Sequence, residues 1–125
     1  MKNLIILPVL LLTLLVGNPA FSADFEKGLD AAQKGDFATA LEEWKPLAEQ
    51  GNADAQNSLG QMYDEGKGVV QDYVRAHMWW SIAASQGNKN AIKYRDTVAK
   101  KMTPADLSKA QELARECVKK NYKGC

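Results

Sequence analysis

An internal repeat constrains this chain more than any other feature. At an offset of 36 positions Asp36 pairs with Asp72, Phe37 with Tyr73, Ala40 with Ala76 and Trp44 with Trp80. The same offset matches Ala48 with Ala84, Gln50 with Gln86, Gly51 with Gly87, Asn52 with Asn88 and Ala55 with Ala91, nine agreements in all. A period of roughly 20–50 residues marks a solenoid, in which each unit buries its apolar face only against its neighbours. The repeat is clearest over residues 52–87, where two helical patterns flank the loop Asp64-Glu65-Gly66-Lys67-Gly68-Val69.

Helical spacing accounts for the whole chain from Phe25 onward. Phe25–Lys34 carries Phe25, Leu29 and Ala32 on one face; Gly35 ends it and Asp36 is a good cap for the next helix. Phe37–Gln50 places Phe37, Ala40, Leu41, Trp44, Leu47 and Ala48 three or four apart, as one buried face requires. Pro46 lies inside that pattern and costs a hydrogen bond or bends the helix. Asn52 caps a third helix with Ala55, Leu59, Met62 and Tyr63 inward, and Asp72 caps a fourth with Tyr73, Ala76, Trp79, Trp80, Ala83 and Ala84. Asn88 opens a fifth through Ile92, Val98, Ala99 and Met102. A sixth begins at Thr103-Pro104-Ala105-Asp106 and runs to about Lys120, with Leu107, Ala110, Leu113, Ala114, Cys117 and Val118 inward. The expectation is an all-α fold of three antiparallel helix hairpins.

Residues 1–23 read as a secretory signal peptide. Lys2 precedes the apolar run Leu4–Val16, and small residues in Ala20-Phe21-Ser22-Ala23 come before the first acid, Asp24. The run falls short of the roughly 20 residues that span a bilayer, so no membrane span is expected after cleavage at Ser22 or Ala23. The full chain has 16 basic and 15 acidic residues, and Lys2 is the only charge that cleavage removes. The remainder is neutral, and a neutral chain has no net basic field to attract nucleic acid. The expected location is periplasmic or secreted.

The central unit resembles the Sel-1-like repeat family, a relative of the tetratricopeptide repeats. The resemblance rests on Leu59-Gly60, Tyr63, Gly66, Gly68-Val69, Asp72, Arg75-Ala76, Trp79-Trp80, Ala83-Ala84 and Gly87. It covers residues 52–87 closely. The first unit, 24–51, lacks the long glycine loop and looks like a plain tetratricopeptide hairpin. The third, 88–125, matches only through Gly87-Asn88 and Ala91 and looks like a partial repeat with capping helices. The resemblance implies a right-handed α-solenoid acting as a non-enzymatic interaction scaffold in a bacterial envelope. Its partner would be a protein or peptide whose identity the resemblance leaves open. The first helices of such hairpins usually line the concave surface. That carry-over nominates Gln56, Asn57 and Gln61, with Lys93 and Asp96 continuing the surface.

Residues that carry catalysis are sparse. A nucleophile needs an adjacent base, yet neither G-x-S-x-G nor S-x-x-K occurs. His77 is the sole histidine, so a histidine-based zinc site is not expected and His77 reads as surface or packing. Glu42-Glu43 and Asp64-Glu65 are sequence neighbours that do not face one another on a helix, and they read as solvated. Gly66-x-Gly68 lacks the strand and G-K-[ST] of a phosphate loop. Trp44, Trp79 and Trp80 invite a stacking platform, but their register favours the core. No catalytic residue, metal or cofactor is expected.

Cys117 and Cys125 are the only cysteines. In an oxidising compartment such a pair reads as a disulfide, and Gly124 lets the tail turn back. A bridge between two chains and free thiols stay open. Two other functional classes also stay open. One is an envelope hydrolase of the β-lactamase-like type, for which no serine motif is present. The other is a self-associating structural unit.

Overall fold

The computed structural model describes residues 22–125, and these form six helices. They are α1 (Phe25–Gln33), α2 (Phe37–Glu49), α3 (Ala53–Glu65), α4 (Tyr73–Ser85), α5 (Lys89–Ala99) and α6 (Pro104–Lys119). The expected signal peptide lies almost wholly outside the described residues.

Most of the turns have one local cause. Glycine in the left-handed region follows α1, α2 and α4, at Gly35 (φ 79°), Gly51 (φ 93°) and Gly87 (φ 90°), where a Cβ would be strained. The next residue's N–H then reaches back to the last turn, from Asp36 to Ala31, Asn52 to Leu47 and Asn88 to Ala83. That same Asp or Asn caps the following helix, accepting from the N–H of Thr39, Ala55 and Ala91. Two residues therefore end one helix and start the next. α2 runs through Pro46 to Glu49 without a break.

Packing centres on α4. It touches α3, α5 and α6, and its buried residues include Ala76, His77, Met78, Trp79, Trp80, Ile82 and Ala83, almost all the way round. α1 packs on α2, and α2 on α3. One apolar cluster joins Trp44, Leu59, Met78, Trp79 and Ile82 with Cys117 of α6. A second joins Ala76, Trp80 and Ala83 with Ala91 and Val98 of α5.

Several expectations are corrected. After the turn at residues 100–103, α6 packs chiefly against α4 rather than α5, so the last two helices do not close on each other as a hairpin. Ile92 and Val118, expected inward, are 38% and 47% exposed. Ala91 occupies the fully buried position on α5 instead. Glu43, read as solvated, is buried: it accepts the Asp24 N–H at 2.8 Å and pairs with Lys27 Nζ at 3.1 Å. Those two contacts, the Asp24 N–H first, hold its carboxyl below the ordinary carboxylate range.

His77 is also buried, taking the packing side of its expected alternatives, with Nδ1 3.2 Å from Ser81 Oγ. Burial lowers its pKa from 6.5; the Arg95 charge adds to this and Asp96 opposes it. The folded state therefore holds a neutral imidazole while the unfolded chain takes up a proton. Stability from this group is complete above the unfolded pKa and declines as pH falls from there towards the lower folded value. Urea unfolding between about pH 7 and pH 5 should show this decline in the wild type and a flatter profile in His77→Gln.

Candidate binding groove

The first helices leave a groove between them. A cavity of about 280 Å³ lies between α1 and α3, with Leu29, Ala32 and Gln33 on one wall and Ser58, Gln61 and Glu65 on the other. Phe37, Trp44 and Met62 also line it. A second cavity of about 240 Å³ continues towards α5, lined by Gln61, Asp64, Glu65, Trp80 and Tyr94. Gln61 lines both cavities, and its amide donates to Glu65 Oε1 at 3.2 Å.

Two tryptophan locks hold the walls in place. Trp44 Nε1 donates to the Phe25 carbonyl at 3.1 Å, and Trp80 Nε1 donates to the Asn57 carbonyl at 3.1 Å. Each indole lies across a helical glycine. A Cβ on Gly28 would stand 2.3 Å from Trp44 Nε1, and one on Gly60 would stand 2.5 Å from Trp80 Nε1. Glycine lets the two backbones approach, and the indole N–H ties each first helix to the second helix of its unit. Trp79 takes no part in this and sits in the core at 3% exposure.

The five nominated contact residues scatter. Gln61 lines the groove. Gln56 does not: it is fully buried, donating to the Ala48 carbonyl at 3.0 Å and accepting from Gln86 Nε2 at 2.7 Å. It ties α2, α3 and the end of α4 together, so its nomination as a surface contact is corrected. Asn57 is half-buried, and its Oδ1 is buried without a partner. Lys93 and Asp96 are exposed on α5 but line neither cavity, and Asp96 pairs with Arg95 at 3.1 Å.

Leu29, Gln33, Ser58, Glu65 and Tyr94 were missed. The signal was present in the spacing. Ser58, Gln61 and Glu65 follow one another by three and four residues along one side of α3, and Leu29 and Gln33 by four along α1. Among the described residues no group of three or more His, Cys, Asp or Glu is placed to hold a metal ion. The groove offers amide and carboxylate hydrogen-bonding groups beside aromatic and aliphatic surface, which is the chemistry of recognition.

Cys117 and Cys125 form a disulfide within the chain. No helix among the described residues is long and apolar enough to cross a membrane. No curated protein matches the chain. Residues 53–88 match the family model of the Sel1 repeat, the stretch that contains Gly60, the long loop and Trp80. With that unit at the centre of six helices and no strand among the described residues, the chain is an α-helical protein that carries a Sel1 repeat over residues 53–88.

Proposed function

We propose that the protein is an exported, non-enzymatic scaffold that holds a segment of another protein in the groove of α1, α3 and α5. Sel1 repeats generally mediate protein–protein interaction. The observation that carries the reading is the pair of cavities joined at Gln61, which makes one continuous surface across the first helices. Rigid walls lower the ordering cost of binding, and the tryptophan locks supply that rigidity. Placement in a bacterial envelope, periplasmic or secreted, is supported by the leader-like pattern of residues 1–23 and by the paired cysteines.

Affinity capture from native envelope extract tests the reading, with residues 23–125 as bait and mass spectrometry as readout. The control carries Ser58→Arg and Gln61→Lys, which crowd the groove without touching the core. A groove partner is expected on the wild type and at least tenfold depleted on the control, both folded by circular dichroism. Equal retention by the two baits places the contact elsewhere.

A further inference from the structure

One half of the groove contains a cation that the other half lacks. Lys67 Nζ lies 3.2 Å from Glu65 Oε2 and 5.2 Å from the centre of the Phe37 ring. A carboxylate and an aromatic ring that line the cavity of α1 and α3 thus share one ammonium group. The carboxylate supplies charge and hydrogen-bond acceptors, and the ring face supplies its negative quadrupole.

The cavity that continues towards α5 repeats the acid and the ring without the cation. Asp64 and Tyr94 line it together with Gln61, Glu65 and Trp80, and among the described residues no basic side chain does. Tyr94 is 39% exposed, and its ring packs on Trp80 with centroids 5.5 Å apart. Trp80 is held by its bond to the Asn57 carbonyl, so the tyrosine rests on a fixed support. Asp64 is half-buried, and among the described residues its carboxylate has neither an ion-pair nor a hydrogen-bond partner. Glu65, by contrast, is engaged by Lys67 and Gln61. The chain's other cation over a ring, Lys101, sits on Tyr73 rather than Tyr94. Across both cavities the charged lining is Asp64, Glu65 and Lys67, one positive charge short of balance.

We infer that this second cavity receives a lysine or arginine side chain of the segment bound in the groove, so that the partner presents a basic residue there. The inference rests on the groove reading proposed above. The incoming cation would complete with Asp64 and Tyr94 what Lys67 completes with Glu65 and Phe37. Size agrees: at about 240 Å³ the cavity is smaller than pockets that enclose whole small molecules, and it suits one side chain of a longer ligand. An apolar side chain would leave Asp64 without a counter-charge, and an acidic one would be repelled by Asp64 and Glu65. Leu29, Phe37 and Met62 in the neighbouring cavity offer apolar contact to the rest of the segment.

A library of short random peptides on beads, screened with labelled residues 23–125, reads the preference directly. Selected peptides should carry lysine or arginine at one position, with acidic residues depleted there. Replacing that residue by norleucine removes the charge and keeps the stem. It should weaken binding to the wild type about tenfold and cost little on Asp64→Asn. Asp64→Asn should bind the unmodified peptide about tenfold more weakly, and Tyr94→Leu about threefold, both folded by circular dichroism. Basic peptides held equally by the wild type and both variants overturn the site. Peptides selected without a basic residue, and lost on Ser58→Arg with Gln61→Lys, overturn the inference while the groove reading stands. A library that yields no peptide overturns both.

Discussion

Gly60→Ala is expected to destabilise the protein by about 2–4 kcal/mol, although Gly→Ala inside a helix ordinarily stabilises by roughly 0.5–1 kcal/mol. The reversal of sign has a local cause. The new Cβ would meet Trp80 Nε1 at 2.5 Å and Cδ1 at 2.6 Å, both inside contact distance. Trp80 is 3% exposed and its N–H is bonded to the Asn57 carbonyl, so the ring has neither space nor freedom to yield. Either the indole leaves and its hydrogen bond is lost, or α3 moves off α4. Gly28→Ala meets the same clash at 2.3 Å from Trp44. There the cost should be smaller, because α1 has α2 as its one main neighbour and can shift outward. Urea unfolding followed by tryptophan fluorescence measures both. A double-mutant cycle with Trp80→Leu isolates the pair, and Gly60→Ala should cost little in that background. A stabilising Gly60→Ala would show that no lock exists.

That lock also shows what the sequence revealed and what it hid. The offset of 36 aligned Trp44 with Trp80 because both lie on the second helices. It did not align Gly28 with Gly60, which are 32 apart, because the loop after α3 is longer than the turn after α1 by those four residues. One period therefore found the second helices and missed the matching glycines on the first. Helix boundaries were legible because Gly-Asp and Gly-Asn punctuate the chain, and these turns depend on neighbouring residues alone. Inward faces were legible on α2 and α4, where the pattern is dense. They failed at Ile92 and Val118, on helices at the end of the chain whose neighbours lie on fewer sides.

Polar residues were harder to place than apolar ones. Gln56 and Glu43 look solvated by type, and both are buried. Each is satisfied by a partner distant in sequence: Gln56 by Ala48 and Gln86, Glu43 by Asp24 and Lys27. Burial of such groups depends on those partners, and residue type alone does not reveal them. The carry-over from the family put Gln61 on the first helix, and Gln61 lines the groove. The groove's other wall was not found, because Leu29 reads as core when the helix facing α1 is unknown.

Reducing the Cys117–Cys125 bridge should cost about 2–3 kcal/mol, the chain-entropy contribution of so short a loop, and lower Tm by roughly 10 °C or more. The tail it closes is unusual in turning at two residues other than glycine before it reaches Gly124 (φ 68°). Asn121 (φ 53°) and Tyr122 (φ 65°) both adopt the left-handed region, which side chains other than glycine rarely enter. Tyr122 N–H donates to the Cys117 carbonyl at 2.9 Å, and the Tyr122 ring packs with the core cluster. Arg75 Nη1 donates to the Cys125 carbonyl at 2.8 Å and ties the tail to α4. The bridge fixes this conformation by denying the alternatives, so its loss should free the tail before it loosens α6. Hydrogen exchange on oxidised and reduced wild type compares the two states without changing a side chain. Protection should fall first at residues 120–125 while α4 keeps its own. If reduction costs less than about 1 kcal/mol, Tyr122 and Arg75 hold the tail unaided. The bridge would then follow from the folded geometry and an oxidising environment rather than support the fold.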